Sequence, residues 1–162
     1  MRMSRTRVFI VDDSLTIRAM LATVLENDER LQVVGIAANA EEADAMLSHV
    51  VPDVVLLDIR LPGRSGLDFL RDLKAWLDKP VIAYSSLMRP GSPEAIEALR
   101  LGAAAAFNKA ELLKDTGALI TLIRDAAHGQ LKPVSVPAPV AAPIPIQHGP
   151  GLGDFFASPA FA

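Results

Sequence analysis

The sequence predicts an α/β fold: a doubly wound, five-stranded parallel sheet of (βα)5 type with helices on both faces. Three observations predict it. Short apolar runs rich in Val, Ile and Leu recur five times, without the strict alternation of half-exposed strands. Helical stripes fall between them, and such alternation implies parallel strands with right-handed crossovers. Four of the five runs also end in polar or charged residues, at the edge where open α/β sheets gather functional groups.

The first run is RVFIV (7–11), followed by a helix whose apolar stripe is Ile17, Met20, Leu21, Val24 and Leu25. LQVVGI (31–36) precedes a second stripe of Ala43, Met46 and Leu47. DVVLL (53–57) leads through a proline-glycine loop to Leu67, Leu70 and Leu73, with Trp76 expected as a half-buried packing residue at that helix's end. PVIAY (80–84) precedes the clearest helix start: Ser92 as cap, Pro93 at the first helical position, Glu94 at the positive dipole end. Gly102 is placed to stop that helix. AAAF (104–107) is the fifth run, and a last helix is expected over residues 115–127.

Composition divides the 162 residues in two. Residues 129–162 hold seven of the twelve prolines and only two charged side chains, Lys132 and Asp154. Proline lacks the backbone donor and fixes φ, so an extended, flexible Pro/Ala-rich tail is expected there, after a folded unit of residues 1–128. Three of the six phenylalanines, Phe155, Phe156 and Phe161, close the tail and suggest a short docking segment. The net charge of −3 leaves no broad electrostatic footprint for nucleic acid. The absence of cysteine excludes thiol catalysis and thiolate metal sites. Neither a signal peptide nor a run of about 18 apolar residues is present, so a cytoplasmic protein without membrane insertion is expected. His49, His128 and His148 show no ligand spacing.

The strand ends carry the chemistry. The first run stops at Asp12 and Asp13, the third at Asp58, the fourth at Ser85 and Ser86, and Lys109 follows the fifth. Taken singly each has a plain reading: Asp13 as a helix cap, Asp58 as a turn residue, the serines as backbone-satisfying hydroxyls, Lys109 as a surface charge. Jointly they place three carboxylates, a hydroxyl and an ammonium on one edge. Three close carboxylates cannot all stay ionised without a counter-charge. All-oxygen ligation without His or Cys points to a hard ion, and Mg²⁺ suits a site with few protein ligands. Mg²⁺ and Lys109 together balance the three negative charges. Such a site admits a phosphoryl group, and a carboxylate can itself be the nucleophile.

VDDS, PDVVLLDIRLPGRSGLDFL, PVIAYSSLMRPGSPEAIEALRLGA and the lysine after the fifth strand together resemble a response-regulator receiver domain of two-component signalling. RVFIVDDS and SSLMRPGS are most similar to the receiver of chemotaxis methylesterases. The resemblance spans residues 5–128 and implies a flavodoxin-like strand order, 2-1-3-4-5. It implies that Asp58 accepts phosphate from a sensor histidine kinase or histidine phosphotransfer protein. Asp13, Asp58 and the backbone carbonyl of Arg60 would ligate Mg²⁺, with Asp12 acting mainly through a bound water. Ser85 would close onto the phosphoryl group and Lys109 would pair with it, and a one-residue slip would hand the serine role to Ser86.

Three departures from the family pattern involve four positions. Ala110 replaces the proline that usually follows the lysine; a cis bond costs about 3–4 kcal/mol before alanine against about 0.5–1 before proline, so a trans bond and a different loop path are expected. Ala106 occupies the usual aromatic position, with Phe107 turned to the other side. In this family the positions of Arg60 and Leu87 border the attacking water, so the resemblance implies an unusual phosphoryl lifetime. The expected function is a single-domain response regulator signalling to a target protein by docking or phosphate relay. Its signal is expected to leave through 85–92 and 107–114, not through an aromatic flip. The alternatives are a pseudo-receiver scaffold and an N-terminal fragment of a methylesterase; residues 129–162 contain no G-x-S-x-G nucleophile turn. A magnesium-dependent phosphatase would carry a second acid where Arg60 stands. No activity beyond self-phosphorylation and dephosphorylation is expected.

Overall fold

The computed structural model describes residues 4–86 and 88–131. Five parallel strands form one sheet: β1 (Thr6–Val11), β2 (Leu31–Ala37), β3 (Val54–Asp58), β4 (Val81–Ser85) and β5 (Ala105–Asn108). Their order is β2-β1-β3-β4-β5, so the direction of winding reverses between β1 and β3 while all strands stay parallel. Six helices connect or follow them: α1 (Leu15–Glu26), α2 (Ala40–Leu47), α3 (Gly66–Lys74), α4 (Pro93–Arg100), α5 (Lys109–Lys114) and α6 (Thr116–Ala127).

Strand alternation sorts the core into two layers. Val8, Ile10, Leu56, Ile82 and Tyr84 pack with Leu21 and Leu25 of α1 and Leu119 and Ile123 of α6. Phe9, Val11, Val55, Leu57, Val81 and Ala83 face α2, α3 and α4 on the other side. β1, β3 and β4 are buried on both faces, which is why their sequences read as continuous apolar runs. Each large side chain buried here contributes roughly 1.5–3 kcal/mol.

β3, β4 and β5 each run one residue further than their apolar runs predict. Asp58 stands in register with Tyr84, and Ser85 with Asn108. These polar residues therefore end strands and do not begin loops, and the ladder fixes their backbone. Capping follows the local sequence. Ser92 accepts from the Ala95 N–H with Pro93 in the first turn, and Gly102, at φ +110°, ends the α4 region. Ser14, and not Asp13, caps α1 by accepting from the Ile17 N–H.

Two expectations need correction. Trp76 is 55% exposed, because the turn after α3 gives its core place to Leu77. The segment after β5 is a helix where a loop was expected. Asn108 caps α5 by accepting a hydrogen bond from the Ala110 N–H at 2.7 Å, a donor that proline would lack. No cis peptide occurs among the described residues. Residues 132–162, including the expected tail and its Phe-rich end, lie outside the described residues, as does Leu87.

Gly66 sets the spacing between α3 and the end of β3. A Cβ there would overlap Ile59 Cα and lie 2.7 Å from the Asp58 carbonyl oxygen, both backbone atoms that cannot rotate aside. Gly66→Ala is expected to destabilise the protein by about 2 kcal/mol or more, measured as a lower urea midpoint with an unchanged slope. An unaltered midpoint would contradict this packing.

Candidate functional site

The carboxyl ends of β1, β3, β4 and β5 converge. Asp12 follows β1, where its N–H donates to the Ala37 carbonyl of β2. Both Asp12 and Asp58 are buried, with 0% and 2% of their surface exposed, whereas Asp13 is exposed. One carboxylate oxygen from each of the three lies within 4.8 Å of the others. Lys109 reaches over them as the first residue of α5. Its Nζ lies 2.8 Å from Asp58 Oδ2 and 3.2 Å from Asp12 Oδ2.

The remaining carboxylate oxygens are held by backbone donors. The Ser14 N–H donates to Asp12 Oδ1 at 2.8 Å, and the Arg60 N–H to Asp58 Oδ1 at 2.8 Å. Arg60 thus brings its main chain to the site while its side chain is exposed. Arg18 of α1 donates to the Asp12 carbonyl at 2.8 Å. No buried side-chain nitrogen or oxygen among the described residues lacks a partner. Ser85 is fully buried at the end of β4, and Ser86 is exposed.

Tyr84 and Arg18 were not among the sequence candidates. The Tyr84 hydroxyl donates to Asp12 Oδ2 at 2.7 Å from within the α1/α6 core layer. A tyrosine in an otherwise apolar strand is the signal, because a buried phenol needs a partner for its O–H. Its ring lies 5.8 Å from Phe107. Ala106 packs on the opposite face, with α4, so no β5 aromatic occupies that side.

Burial dominates the electrostatics. Desolvation raises the Asp58 pKa above the usual carboxylate value, against the opposing pull of Lys109 and the Arg60 N–H. Desolvation lowers the Lys109 pKa, but hydrogen bonding and attraction to Asp58 and Asp12 outweigh it, and the ammonium is stabilised overall. Tyr84 is pushed well above the ordinary phenol range by burial first and then by the Asp12 charge. One ammonium faces three carboxylates, a deficit of two charges that a divalent, oxygen-preferring ion matches. The donor set fits Mg²⁺.

Residues 8–121 match the family model described as response regulator receiver domain. The chain belongs to the response-regulator receiver family. This receiver is 41% identical over 149 residues to protein-glutamate methylesterase/protein-glutamine glutaminase 2 of Cereibacter sphaeroides, covering 86% of the chain but 40% of that protein. A second relative, the protein-glutamate methylesterase/protein-glutamine glutaminase of Agrobacterium fabrum, is 44% identical over 97 residues, 60% of the chain and 28% of that protein. The receiver thus spans about 40% of the first relative's length. Among solved structures, the response regulator domain of Thermotoga maritima CheB superposes with a TM-score of 0.71 at 31% identity, over 76% of this chain and 97% of that one. A chain from the complex of the P1 domain of CheA3 with CheY6 from R. sphaeroides gives 0.66 at 32% identity, over 77% and 98%. No helix among the described residues is long and apolar enough to cross a membrane.

The raised Asp58 pKa has a stability consequence. Between the usual carboxylate pKa and the raised native one, the folded state binds more protons than the unfolded state, so stability falls as pH rises through that window. Without added metal, Asp58→Asn is expected to raise the thermal midpoint at pH 7 by about 3–5 °C, the shift that about 1 kcal/mol produces in a domain of this size. The gain should shrink as the pH is lowered to about 4. Calorimetry showing equal midpoints at pH 7 would contradict it.

Proposed function

We propose that this receiver is a magnesium-dependent phosphorylation switch with Asp58 as phosphoacceptor. The observation that carries the reading is Lys109 Nζ bridging Asp58 and Asp12 beside a third carboxylate. An oxygen of Asp58 attacks phosphorus, the bond from phosphorus to the donor breaks, and an aspartyl phosphate forms. Lys109 pairs with a phosphoryl oxygen, and Ser85 supplies the hydroxyl that closes onto another. Asp13, Asp58 and the Arg60 carbonyl would hold Mg²⁺, with Asp12 acting through water. When bound, the ion supplies positive charge against the transferring phosphoryl group.

The phosphoryl donor is a sensor histidine kinase or histidine phosphotransfer protein. Output is a cytoplasmic docking or relay event on another protein, without nucleic acid and without catalysis beyond the receiver's own phosphorylation and dephosphorylation. A second reading, that this receiver regulates a methylesterase as its N-terminal unit, is favoured by relatives of which it covers 40% or less. A genomic reading frame that continues into a catalytic domain would select it. A scaffold that is never phosphorylated is disfavoured by the assembled pocket.

The primary test is intact mass after incubation with acetyl phosphate. A magnesium-dependent phosphate adduct, absent from Asp58→Asn, is expected. No adduct under any condition would overturn the switch and favour the scaffold. In the same protein, amide resonances of residues 88–92 and 108–114 should move on adding Mg²⁺ and beryllofluoride, since Ala106 offers no ring to turn inward. Unmoved resonances would overturn that output route.

A further inference from the structure

Tyr84 lies one residue before Ser85, after the Val, Ile and Ala that begin the strand. Resting on the phosphoacceptor reading above, we propose that Tyr84 is a positioning residue whose hydroxyl holds Asp12 in place while Lys109 moves from the carboxylates to the phosphoryl group.

Asp12 has none of its surface exposed, so both carboxylate oxygens depend on donors within the site. Oδ1 takes the Ser14 N–H. Oδ2 has two protein donors of different kinds: the Tyr84 hydroxyl at 2.7 Å and the Lys109 ammonium at 3.2 Å. The ammonium sits on a flexible stem and also holds Asp58. Once Asp58 carries the phosphoryl group, the negative charge shifts outward, and Lys109 follows it. The phenol does not follow. Its ring is fixed in the α1/α6 core layer, in register with Phe107 and tilted against it. Asp12 therefore keeps one protein donor on Oδ2 when Lys109 leaves. Without the hydroxyl, departure of Lys109 would strip a buried anion of its last side-chain partner, and the lysine would be held back.

Tyr84→Phe keeps the ring and removes only the hydroxyl. Magnesium affinity, by isothermal titration calorimetry, should stay within about twofold of wild type, because the metal-facing oxygens are retained. The maximal rate of adduct formation, by intact mass at saturating Mg²⁺ and acetyl phosphate, should fall about tenfold. Equal maximal rates, or a loss confined to sub-saturating Mg²⁺, would overturn the positioning role. Tyr84 is the only tyrosine in the chain, so a carbon-13 label at Cζ gives one resonance. With Mg²⁺ and beryllofluoride it should keep its resting shift, and a move to the value of Asp12→Ala would overturn the proposal. Wild-type protein that takes up no phosphate removes both readings together. Phosphorylated wild type beside an equally fast Tyr84→Phe removes only this one.

Discussion

Two buried carboxylates share one ammonium, and the rest of the site is arranged around that shortage. Asp12 and Asp58 lie at the ends of adjacent buried strands, where water cannot screen them. An ion pair in such a place roughly breaks even against its desolvation, so stability does not account for it. With Asp13 beside it, the pair leaves the pocket short of positive charge by two units. Every neighbour eases that shortage partially: the Ser14 and Arg60 N–H groups, the Tyr84 hydroxyl, and Arg18 on the Asp12 carbonyl. None removes it. A folded state that carries unmet charge is one whose lowest-energy condition depends on what arrives.

The sheet makes this arrangement rigid. With three strands covered on both faces, the carboxylates project from a backbone locked by ladder hydrogen bonds and close packing. Gly66 allows α3 to approach the backbone of Asp58 and Ile59, where any Cβ would collide. Arg64, in the same connection, reaches Asp44 of α2 and Asp72 of α3 and lies over the Phe69 ring. The exposed ion pairs add little energy, but they tie the connection after Asp58 to two helices.

The fold was legible because its strongest signals are redundant. Val, Ile and Leu runs separated by helical stripes admit few topologies, and the polar residues at the run ends mark one edge. Ala106 and Phe107 were assigned to opposite faces from strand period alone, and the core layers place them so. The misses have local causes. Trp76 continues a helical stripe in sequence, but the helix ends at Lys74, so the period no longer applies. α5 is masked in the sequence because the missing proline reads as an altered loop. The Asn108 to Glu111 spacing, a cap followed by an acid in the first turn, carried the helix signal. Tyr84 was absorbed into an apolar run, since hydropathy counts its ring and ignores its hydroxyl. The ends of β3, β4 and β5 lie one residue beyond the apolar runs because the ladder does not stop where the side chains become polar.

Lys109 belongs to two structures at once. Its ammonium is part of the acidic site, and its backbone is the first turn of α5, hinged on the Asn108 cap. A short helix of this kind has little internal stability and takes its position from its ends. Displacing the lysine head would therefore bear on the helix at its origin, through the lysine side chain alone. The lysine would then be the short arm of a lever and α5 the long one. A change of charge at the sheet edge would then be felt first where α5 begins.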